Sequence, residues 1–302
     1  MRAALLREVD GPFELVDMPE PTAGGGKVRV HVRAAGVNFL DVMVRHGRYP
    51  QMPELPAVLG VEVAGELEDG TRVMALCDGG YAEVVAADPA QIVPLPEHAS
   101  FAEGAAFLMT FLTAFIPLTR QVRIGPGSRV LVTAAAGGVG SAAIQIARGL
   151  GATVVGAVGS QEKIETCLEL GAERAHLYGE LPDDETFDVI LDQVGGDFFG
   201  ASFARLRPLG TVVAVGSAAG AWPAVDPARI VGRNVSLAGF YLGRLIRLDP
   251  ELIGSALGEL LAFWQTGALR PLVGAEVPLD EVERAHELVE SRRSVGKVVL
   301  VP

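Results

Sequence analysis

The chain has 302 residues, of which 49% are hydrophobic and 21% are charged, and its formal net charge is −12 with a pI near 4.9. This composition excludes an intrinsically disordered chain, and the acidic balance with scattered cations argues against a nucleic-acid partner. The two cysteines, Cys77 and Cys167, lie far apart and exclude a disulfide framework and a cysteine-rich zinc site.

The first third of the chain predicts a compact, β-rich domain. Its opening residues carry charges around an apolar patch too short for a signal-peptide core or a membrane span, so we expect a cytoplasmic protein with no membrane partner. Alternating apolar residues and turn residues predict strands at residues 27–34, 58–68, 71–76 and 81–86. An apolar helix is predicted next, at residues 102–118.

Residues 129–239 alternate between strands and helices, which is typical of a parallel sheet covered on both faces. We predict six strands, at residues 129–134, 153–158, 174–177, 189–192, 211–215 and 234–239. Helices at residues 138–150 and 162–170 join the first of them. Two further helices (252–264 and 279–292) and a strand (297–301) are predicted to return to the first domain. The predicted fold class is therefore α/β, with a doubly wound, six-stranded parallel sheet.

The glycine turn after the first of these strands is the most informative motif. An apolar strand runs into Ala135-x-Gly137-x-x-Gly140 and then into a helix of small residues. This spacing leaves room for a pyrophosphate, and the helix N-terminus supplies backbone N–H groups and partial positive charge. Because the motif lies within a predicted βαβ unit, it predicts a dinucleotide-binding site.

The end of the second strand indicates which dinucleotide is bound. Sites selective for NAD place an acidic residue about 20 positions after the glycines, where it accepts hydrogen bonds from the ribose. Here the strand ends in Gly159 and Ser160, and Lys163 follows in a first helical turn, where a cation opposes the helix dipole. We therefore predict that Ser160, the turn amides and Lys163 bind the 2′-phosphate of NADP(H). The alternative is an exposed lysine beside Glu162.

Taken in order, these motifs resemble the zinc-free medium-chain dehydrogenase/reductases, specifically the quinone oxidoreductase and zeta-crystallin branch. The resemblance covers nearly the whole chain. Besides the glycine turn, it rests on residues 35–41 (AGVNFLD), 59–65 (LGVEVAG), 79–83 (GGYAE), 170–172 (LGA), 192–196 (DQVGG) and 290–297 (ESRRSVGK). It implies a β-rich, GroES-like catalytic domain formed by residues 1–110 and 245–302, and a Rossmann NADP(H)-binding domain formed by residues 111–244.

The departures from zinc-dependent relatives predict the type of chemistry. Those relatives have a cysteine at the position of Asn38, a histidine at the position of Val61 and a four-cysteine lobe, and none of these occurs here. Asn38, Val61 and Glu62 do not supply the ligand set that Zn²⁺ needs, so the resemblance implies hydride transfer without a metal. Within the zinc-free branch, a frequent tyrosine is replaced by Met43, whereas Tyr49 is kept.

The resemblance also implies which residues form the site. Candidates for the substrate pocket are Asn38, Asp41, Met43 and Tyr49, and no residue is assigned as a general acid. The residues implied to contact the cofactor are Phe39, Leu40, Asp41, Val42, Met43, Thr113, Gly137, Gly138, Val139, Gly140, Gly159, Ser160, Lys163, Tyr178, Gly216, Ser217, Phe240, Tyr241, Leu242 and Arg292.

Simpler explanations exist for several of these residues. Tyr178 fits an ordinary half-buried aromatic at a strand end. Arg292 fits a solvated ion-pair partner, because Glu290 and Arg293 are close in sequence. Residues 240–242 fit a hydrophobic core or a subunit contact equally well.

The implied activity is an NADPH-dependent reduction of a small molecule, and three alternatives stay open. A quinone accepts a hydride directly. An α,β-unsaturated ketone or aldehyde also needs a proton at the α-carbon, for which Asp41 and Tyr49 are the best titratable candidates. The third alternative is a structural or sensing protein that binds nucleotide without turnover. We expect no nucleic-acid partner, and a homodimer formed through the sixth strand of each nucleotide sheet.

Overall fold

The computed structural model describes residues 1–302. Its strands are β1 (Arg2–Leu6), β2 (Phe13–Asp17), β3 (Val28–Val37), β4 (Ala57–Val58), β5 (Glu62–Glu66), β6 (Arg72–Leu76), β7 (Val84–Ala87), β8 (Ile92–Pro94), β9 (Arg129–Thr133), β10 (Thr153–Val158), β11 (Arg174–Leu177), β12 (Phe187–Asp192), β13 (Leu206–Ala214), β14 (Ser236–Gly239), β15 (Val273–Pro278) and β16 (Lys297–Val301). Its helices are α1 (Phe39–Arg45), α2 (Phe101–Ala105), α3 (Leu108–Ile116), α4 (Gly138–Gly149), α5 (Glu162–Glu169), α6 (Gly196–Ser202), α7 (Pro227–Arg233), α8 (Leu242–Leu248), α9 (Pro250–Gln265) and α10 (Val282–Glu290).

The chain forms two compact units, one made of residues 1–109 and 271–302 and the other of residues 110–270. The first unit is β-rich, as its alternating sequence predicts. A seven-stranded sheet has the order β15-β16-β3-β5-β6-β8, with β7 also paired to β3, and a three-stranded sheet has the order β2-β1-β4. Apolar side chains such as Leu6, Val30, Val63 and Leu300 form the core between these elements.

The second unit contains a six-stranded, all-parallel sheet with the order β11-β10-β9-β12-β13-β14. Its central strands are continuously apolar, because both faces of such a sheet are covered by helices. Val130, Leu131 and Val132 of β9 are fully buried. The strand order reverses between β9 and its neighbours β10 and β12, and ligands of doubly wound sheets bind outside the carboxyl ends of strands at such a reversal. The predicted α/β class and six-stranded sheet are confirmed.

The predicted helix at residues 102–118 is two helices, α2 and α3. Phe107 N donates to Gly104 O at 3.2 Å and Ala106 N donates to Glu103 O at 3.1 Å, so the backbone tightens at this point. A side chain at Gly104 would put a Cβ atom 2.8 Å from Ala64 Cβ, which shows how closely α2 packs on β5.

The second unit extends further along the chain than the boundary we predicted at residue 245. Helix α9 is held by an ion pair of 2.5 Å between Arg120 and Glu259. Beyond it, the Gln145 amide accepts from Arg270 N at 2.8 Å and donates to Arg270 O at 3.0 Å. Residues 245–270 therefore belong to the second unit, and the return to the first begins at residue 271. None of the helices has both the length and the apolar character needed to cross a bilayer.

Candidate functional site

The glycine turn of the second unit joins β9 to α4. Gly137 is the N-cap residue, and the first bond of the helix runs from Ser141 N to Gly137 O at 2.8 Å. The amides of the first helical turn, from Gly138 to Gly140, have no carbonyl one turn earlier in the helix to bond to. These N–H groups lie at the carboxyl end of β9, at the strand-order reversal, so the turn has the geometry of an anion site.

Gly140 explains why this turn needs its third glycine. A Cβ atom at this position would lie 2.3 Å from Ala134 O and 2.7 Å from Ala135 Cα. The start of α4 therefore packs directly against the backbone that leaves β9. Gly140 does not have a left-handed conformation, so the requirement is for space and not for an unusual φ angle.

The residues predicted for the adenosine end follow the neighbouring strands. The Tyr178 hydroxyl accepts a hydrogen bond from Ala134 N at 2.7 Å, which brings Tyr178 to the first residue of the glycine turn. Ser160 Oγ lies 3.2 Å from Glu162 Oε1, to which it donates. Burial lowers the pKa of the Lys163 ammonium, and the neighbouring Glu162 opposes this shift. An additional anion would favour the charged form of this lysine.

A buried carboxylate organises the other strand ends of the sheet. Asp192, at the end of β12, accepts hydrogen bonds from Thr133 Oγ1 at 3.1 Å and Gly195 N at 3.0 Å. Gln193 Nε2 donates to Thr133 O at 2.7 Å, which ties the loop after β12 to the end of β9. Burial is the largest influence on Asp192 and raises the pKa of its carboxyl, whereas these hydrogen bonds oppose the rise.

The remaining candidates of the second unit lie on later strands and on α3. Gly216 and Ser217 follow β13, and Phe240, Tyr241 and Leu242 follow β14 and lead into α8. Phe240 N donates to Ala214 O at 2.9 Å, and Leu242 is buried. Thr113 lies in the middle of α3. Most of these residues therefore lie at the carboxyl ends of the parallel strands. Thr113 lies on helix α3 and not on the sheet.

The first unit contains a buried polar cluster around Asn38. Lys297 Nζ donates to Glu62 Oε1 at 2.6 Å and to Asn38 Oδ1 at 2.5 Å. Asn38 Nδ2 donates to the same Glu62 Oε1 at 3.0 Å, and Glu62 Oε2 accepts from Met109 N at 3.0 Å. The side chains of Lys297 and Glu62 are only 4% and 0% exposed, so this ion pair is buried in the protein. We call these three side chains the Asn38 cluster.

A second buried carboxylate lies one helical turn further on. Asp41 Oδ2 accepts from Asn38 N at 2.8 Å and from the Tyr81 hydroxyl at 2.9 Å. Burial raises the pKa of Asp41 to about 6, although both hydrogen bonds lower it. Burial likewise raises the pKa of the Tyr81 hydroxyl. Asp41, predicted as a pocket candidate, is 2% exposed, so its carboxyl group serves the N-terminus of α1 and the Tyr81 hydroxyl.

The other pocket candidates of the first unit lie on or just beyond α1. Phe39, Leu40 and Met43 are partly exposed, whereas Val42 is buried. Tyr49 is partly buried and packs against the core of the first unit. Arg292 lies after α10, is exposed, and has a left-handed φ angle of 57°. All of these residues except Val42 therefore keep some surface that a ligand could contact.

Comparison with known proteins places the chain among dehydrogenases. Residues 24–97 match the alcohol dehydrogenase GroES-like domain, and residues 138–257 match the zinc-binding dehydrogenase family. The quinone oxidoreductase-like protein 2 homolog of Nematostella vectensis is 33% identical over 99% of this chain and 88% of its own length. The quinone oxidoreductase of Thermus thermophilus, solved alone and with NADPH, is 40% identical with a TM-score of 0.93 over 100% of both chains. A mycobacterial protein solved with NADPH is 33% identical, with the same TM-score and coverage.

The chain belongs to the quinone oxidoreductase family of the medium-chain dehydrogenases/reductases. This confirms the resemblance that the ordered motifs predict. It also confirms the architecture, a GroES-like domain combined with a Rossmann domain that contains a six-stranded parallel sheet.

One of the matched family descriptions names zinc, so the fit of the side chains to that metal matters. No group of three or more His, Cys, Asp or Glu side chains is arranged to hold a metal ion. At the position where zinc-dependent family members have a cysteine, Asn38 bonds an ammonium group, and the adjacent carboxylate of Glu62 is neutralised by the same ammonium. These side chains do not fit a zinc ion.

Sequence reasoning missed the groups that hold the candidate site together. The motifs identify Glu62 only as a poor zinc ligand, and they assign no role to Lys297, Tyr81 or Asp192. A detectable signal did exist for two of them. Glu62 and Lys297 are charged residues within otherwise apolar runs, and charged side chains are rarely buried unless they are paired. The pairing itself joins residues 235 positions apart, and no local pattern reports it.

Proposed function

We propose that the protein is an NADPH-dependent quinone reductase that passes hydride to its acceptor without a metal. The observation that carries this proposal is the β9–α4 turn, with its free first-turn amides, next to a strand end that has Ser160 and Lys163 where an NAD site has an acid. The two similar structures solved with NADPH support the same cofactor.

In this proposal, each part of the second unit holds a different part of NADP(H). The amides of Gly138, Val139 and Gly140 bind the pyrophosphate, and Ser160 and Lys163 bind the 2′-phosphate. Tyr178 holds the turn through Ala134 N and contributes to the same phosphate site. The lowered pKa of Lys163 supports this assignment, because a doubly charged phosphate would stabilise its ammonium form and offset the effect of burial.

Bound NADPH would supply the hydride, and the protein's contribution would be to orient the reactants and exclude water. Asn38, Met43 and Tyr49 would border the acceptor. Asp41, one of the two titratable candidates for protonating an enone, has a buried carboxyl group whose Oδ2 already accepts two hydrogen bonds. This favours a quinone, which needs no proton at carbon, over an α,β-unsaturated ketone or aldehyde.

Cofactor affinity tests the first half of the proposal. We expect Lys163→Ala to weaken NADPH binding about 10- to 100-fold, the scale of a hydrogen bond to a charged group, and to leave NADH binding unchanged. Lys27→Ala, which removes an exposed lysine of the first unit, is the matched control and changes neither affinity. Equal dissociation constants of NADPH and NADH for the wild type, measured by fluorescence titration, would contradict the 2′-phosphate site.

Turnover tests the second half. NADPH oxidation is followed optically with a panel of quinones and a panel of enones. Turnover of quinones alone supports the proposal, and turnover of enones alone favours the enone reductase. Tight NADPH binding without any turnover favours a structural or sensing role. Stoichiometric zinc in the purified, active protein would contradict a metal-free reaction.

We also propose a homodimer that forms through β14. This strand is the edge of the six-stranded sheet, and its Leu237 is 40% exposed. An unpaired edge is open to pairing, and a twofold axis satisfies both copies. Light scattering should give twice the chain mass of 31.6 kDa, and Leu237→Lys should shift the population toward monomer. A monomeric wild type at micromolar concentration would rule this assembly out.

A further inference from the structure

The Asn38 cluster places a complete charged pair inside the first unit. Lys297 and Glu62 are 4% and 0% exposed, and their charged atoms are 2.6 Å apart. Taking two charges out of water is costly, and apolar residues of similar volume are often equally stable or more stable at such positions. The stability of the fold alone therefore does not account for this pair.

The geometry of the pair fixes one orientation of the Asn38 amide. The Lys297 ammonium only donates hydrogen bonds, and it faces Asn38 Oδ1 at 2.5 Å. The Glu62 carboxylate only accepts, and it faces Asn38 Nδ2 at 3.0 Å. Rotating the amide by 180° would direct two donors at each other and two acceptors at each other. Hydroxyl partners, which can both donate and accept, would impose no such constraint.

Asn38 is also the N-cap residue of α1, where its side chain and that of Asp41 form a capping box and the Asp41 carboxylate bonds the backbone N–H of Asn38. Asn38 Oδ1 additionally accepts from Lys297 Nζ. Asn38 remains partly exposed, whereas both of its charged partners are buried.

The room for the Glu62 carboxylate depends on a glycine. A Cβ atom at Gly36 would lie 2.7 Å from Glu62 Oε1 and 2.3 Å from Ala105 O. Glu62 Oε2 in turn accepts from Met109 N, at the start of α3. The carboxylate thus joins three segments of the first unit: the β3–α1 junction, the start of α3 and the start of β16.

We infer that Glu62 and Lys297 are positioning residues that hold the Asn38 carboxamide in a single orientation at the edge of the acceptor pocket. The inference rests on the proposed function in so far as Asn38 borders the acceptor. Neither charged group touches the acceptor, and both act through the Asn38 side chain.

The test uses the full chain and removes both charges together. Single substitutions would leave a buried charge unpaired and would destabilise the fold, so the principal variant is Glu62→Gln combined with Lys297→Met. Because Asn38 and Asn234 are the only asparagines, selective labelling of the asparagine side-chain amide with ¹⁵N gives two NH2 groups, each with one pair of proton signals. Asn234 is exposed at the end of α7 and serves as the internal control.

We expect the double variant to keep its melting temperature and its NADPH dissociation constant. The Asn38 amide signals should broaden or split into two sets, while those of Asn234 do not change. With the acceptor that the wild type turns over, KM should rise and kcat/KM should fall roughly 100-fold, the scale at which a misplacement of 1 Å acts. Lys297→Arg, which keeps a donor-only cation, should retain a single set of Asn38 signals.

Failure of the positioning role and failure of the proposed function give different results in this test. One sharp, unchanged set of Asn38 signals in the double variant would overturn the positioning role, whether or not the protein turns over quinones. Loss of activity in proportion to a lowered melting temperature, with KM unchanged, would assign the pair a structural role and also overturn it. Lack of turnover by the wild type contradicts the proposed function, whereas the amide signals still decide the positioning role.

Discussion

The two units of this chain build their candidate sites by opposite means. The pyrophosphate part of the second unit's site consists of backbone amides and of the space left by glycines, and its residues lie within eleven positions, from Val130 to Gly140. The site of the first unit consists of charged side chains drawn from β5, β16 and the start of α1. Adding atoms should therefore weaken ligand binding most in the second unit. Removing charge should impair the candidate site most in the first unit.

The largest expected effect comes from adding atoms to the glycine turn. Gly140→Val would force a side chain into Ala134 O and Ala135 Cα, at 2.3 and 2.7 Å from the new Cβ. We expect NADPH affinity to fall on the order of 100-fold or more, because the first-turn amides would move away from the pyrophosphate. Gly149→Ala is the matched control in the same helix, since a Cβ there meets nothing within 4 Å. Fluorescence titration with NADPH compares the two variants, and equal affinities would contradict the packing explanation.

Asp192 tests whether the second unit also depends on a buried charge. Asp192→Asn removes one acceptor from the group that bonds Thr133 Oγ1, Val194 N and Gly195 N. We expect NADPH affinity to fall about tenfold, since hydrogen bonds to a charged group contribute about 1.5–3 kcal/mol and part of the set remains. Asp197→Asn, at an exposed position on α6, is the control. If Asp192→Asn leaves the NADPH affinity unchanged, the second unit's site does not depend on this buried charge, and the two units differ more strongly.

The buried His286 makes the first unit sensitive to acid. Burial, assisted by the charges of Arg45 and His46, lowers the pKa of this imidazole to about 3, and neither ring nitrogen has a hydrogen-bond partner in the protein. The unfolded chain takes up a proton near pH 6.5 and the folded chain does not, so folding stability falls as the pH decreases. The loss is about 2 kcal/mol at pH 5.

His286→Phe keeps a ring against Phe13 and Tyr81 but cannot take up this proton. Urea denaturation at pH 7 and pH 5 should therefore show a smaller loss of stability for the variant than for the wild type. If the variant and the wild type lose the same free energy of unfolding over this range, the imidazole is not the source of the acid sensitivity.

Asp41 should give the smallest effect, and with the opposite sign. Its folded pKa is raised to about 6, so the folded chain binds a proton before the unfolded chain does, and stability rises as the pH falls from 7 toward 4. Relative to Asp41→Asn, the wild type should gain about 1 kcal/mol between pH 7 and pH 5. The measurement is the same urea series. A difference between the two proteins that is constant with pH would show that Asp41 does not titrate in this range.

The contrast between the units also explains how far sequence alone could lead. The glycine turn, β10, β11 and β16 follow local patterns of apolar residues and glycines, and they occur as predicted to within a residue. The chain's place in its family followed from several such motifs in order. The sequence patterns do not predict β1 and β2. Strand β2 is largely exposed and shows no buried face to produce a pattern, whereas β1 is largely buried but only five residues long.

The rest depends on contacts between distant residues. Helix α2, which ends just before the break, packs closely on β5, and Gln145 bonds Arg270 next to the boundary at residue 271. The Asn38 cluster depends on a lysine that follows Glu62 by 235 positions. In each case the partner that determines the local structure lies elsewhere in the sequence, outside any window that periodicity or spacing can cover.

The position of β16 has a consequence for biosynthesis. This strand lies between β15 and β3 in the seven-stranded sheet, so the sheet stays open until residues 297–301 have left the ribosome. Synthesis of the roughly 230 residues that separate β5 from β16 takes about 12–46 s at about 5–20 residues per second. During that interval β3 exposes an unpaired edge, which is a surface that chaperones bind and that aggregation exploits. The contiguous second unit can complete its own sheet while the first unit is still waiting for its last strand.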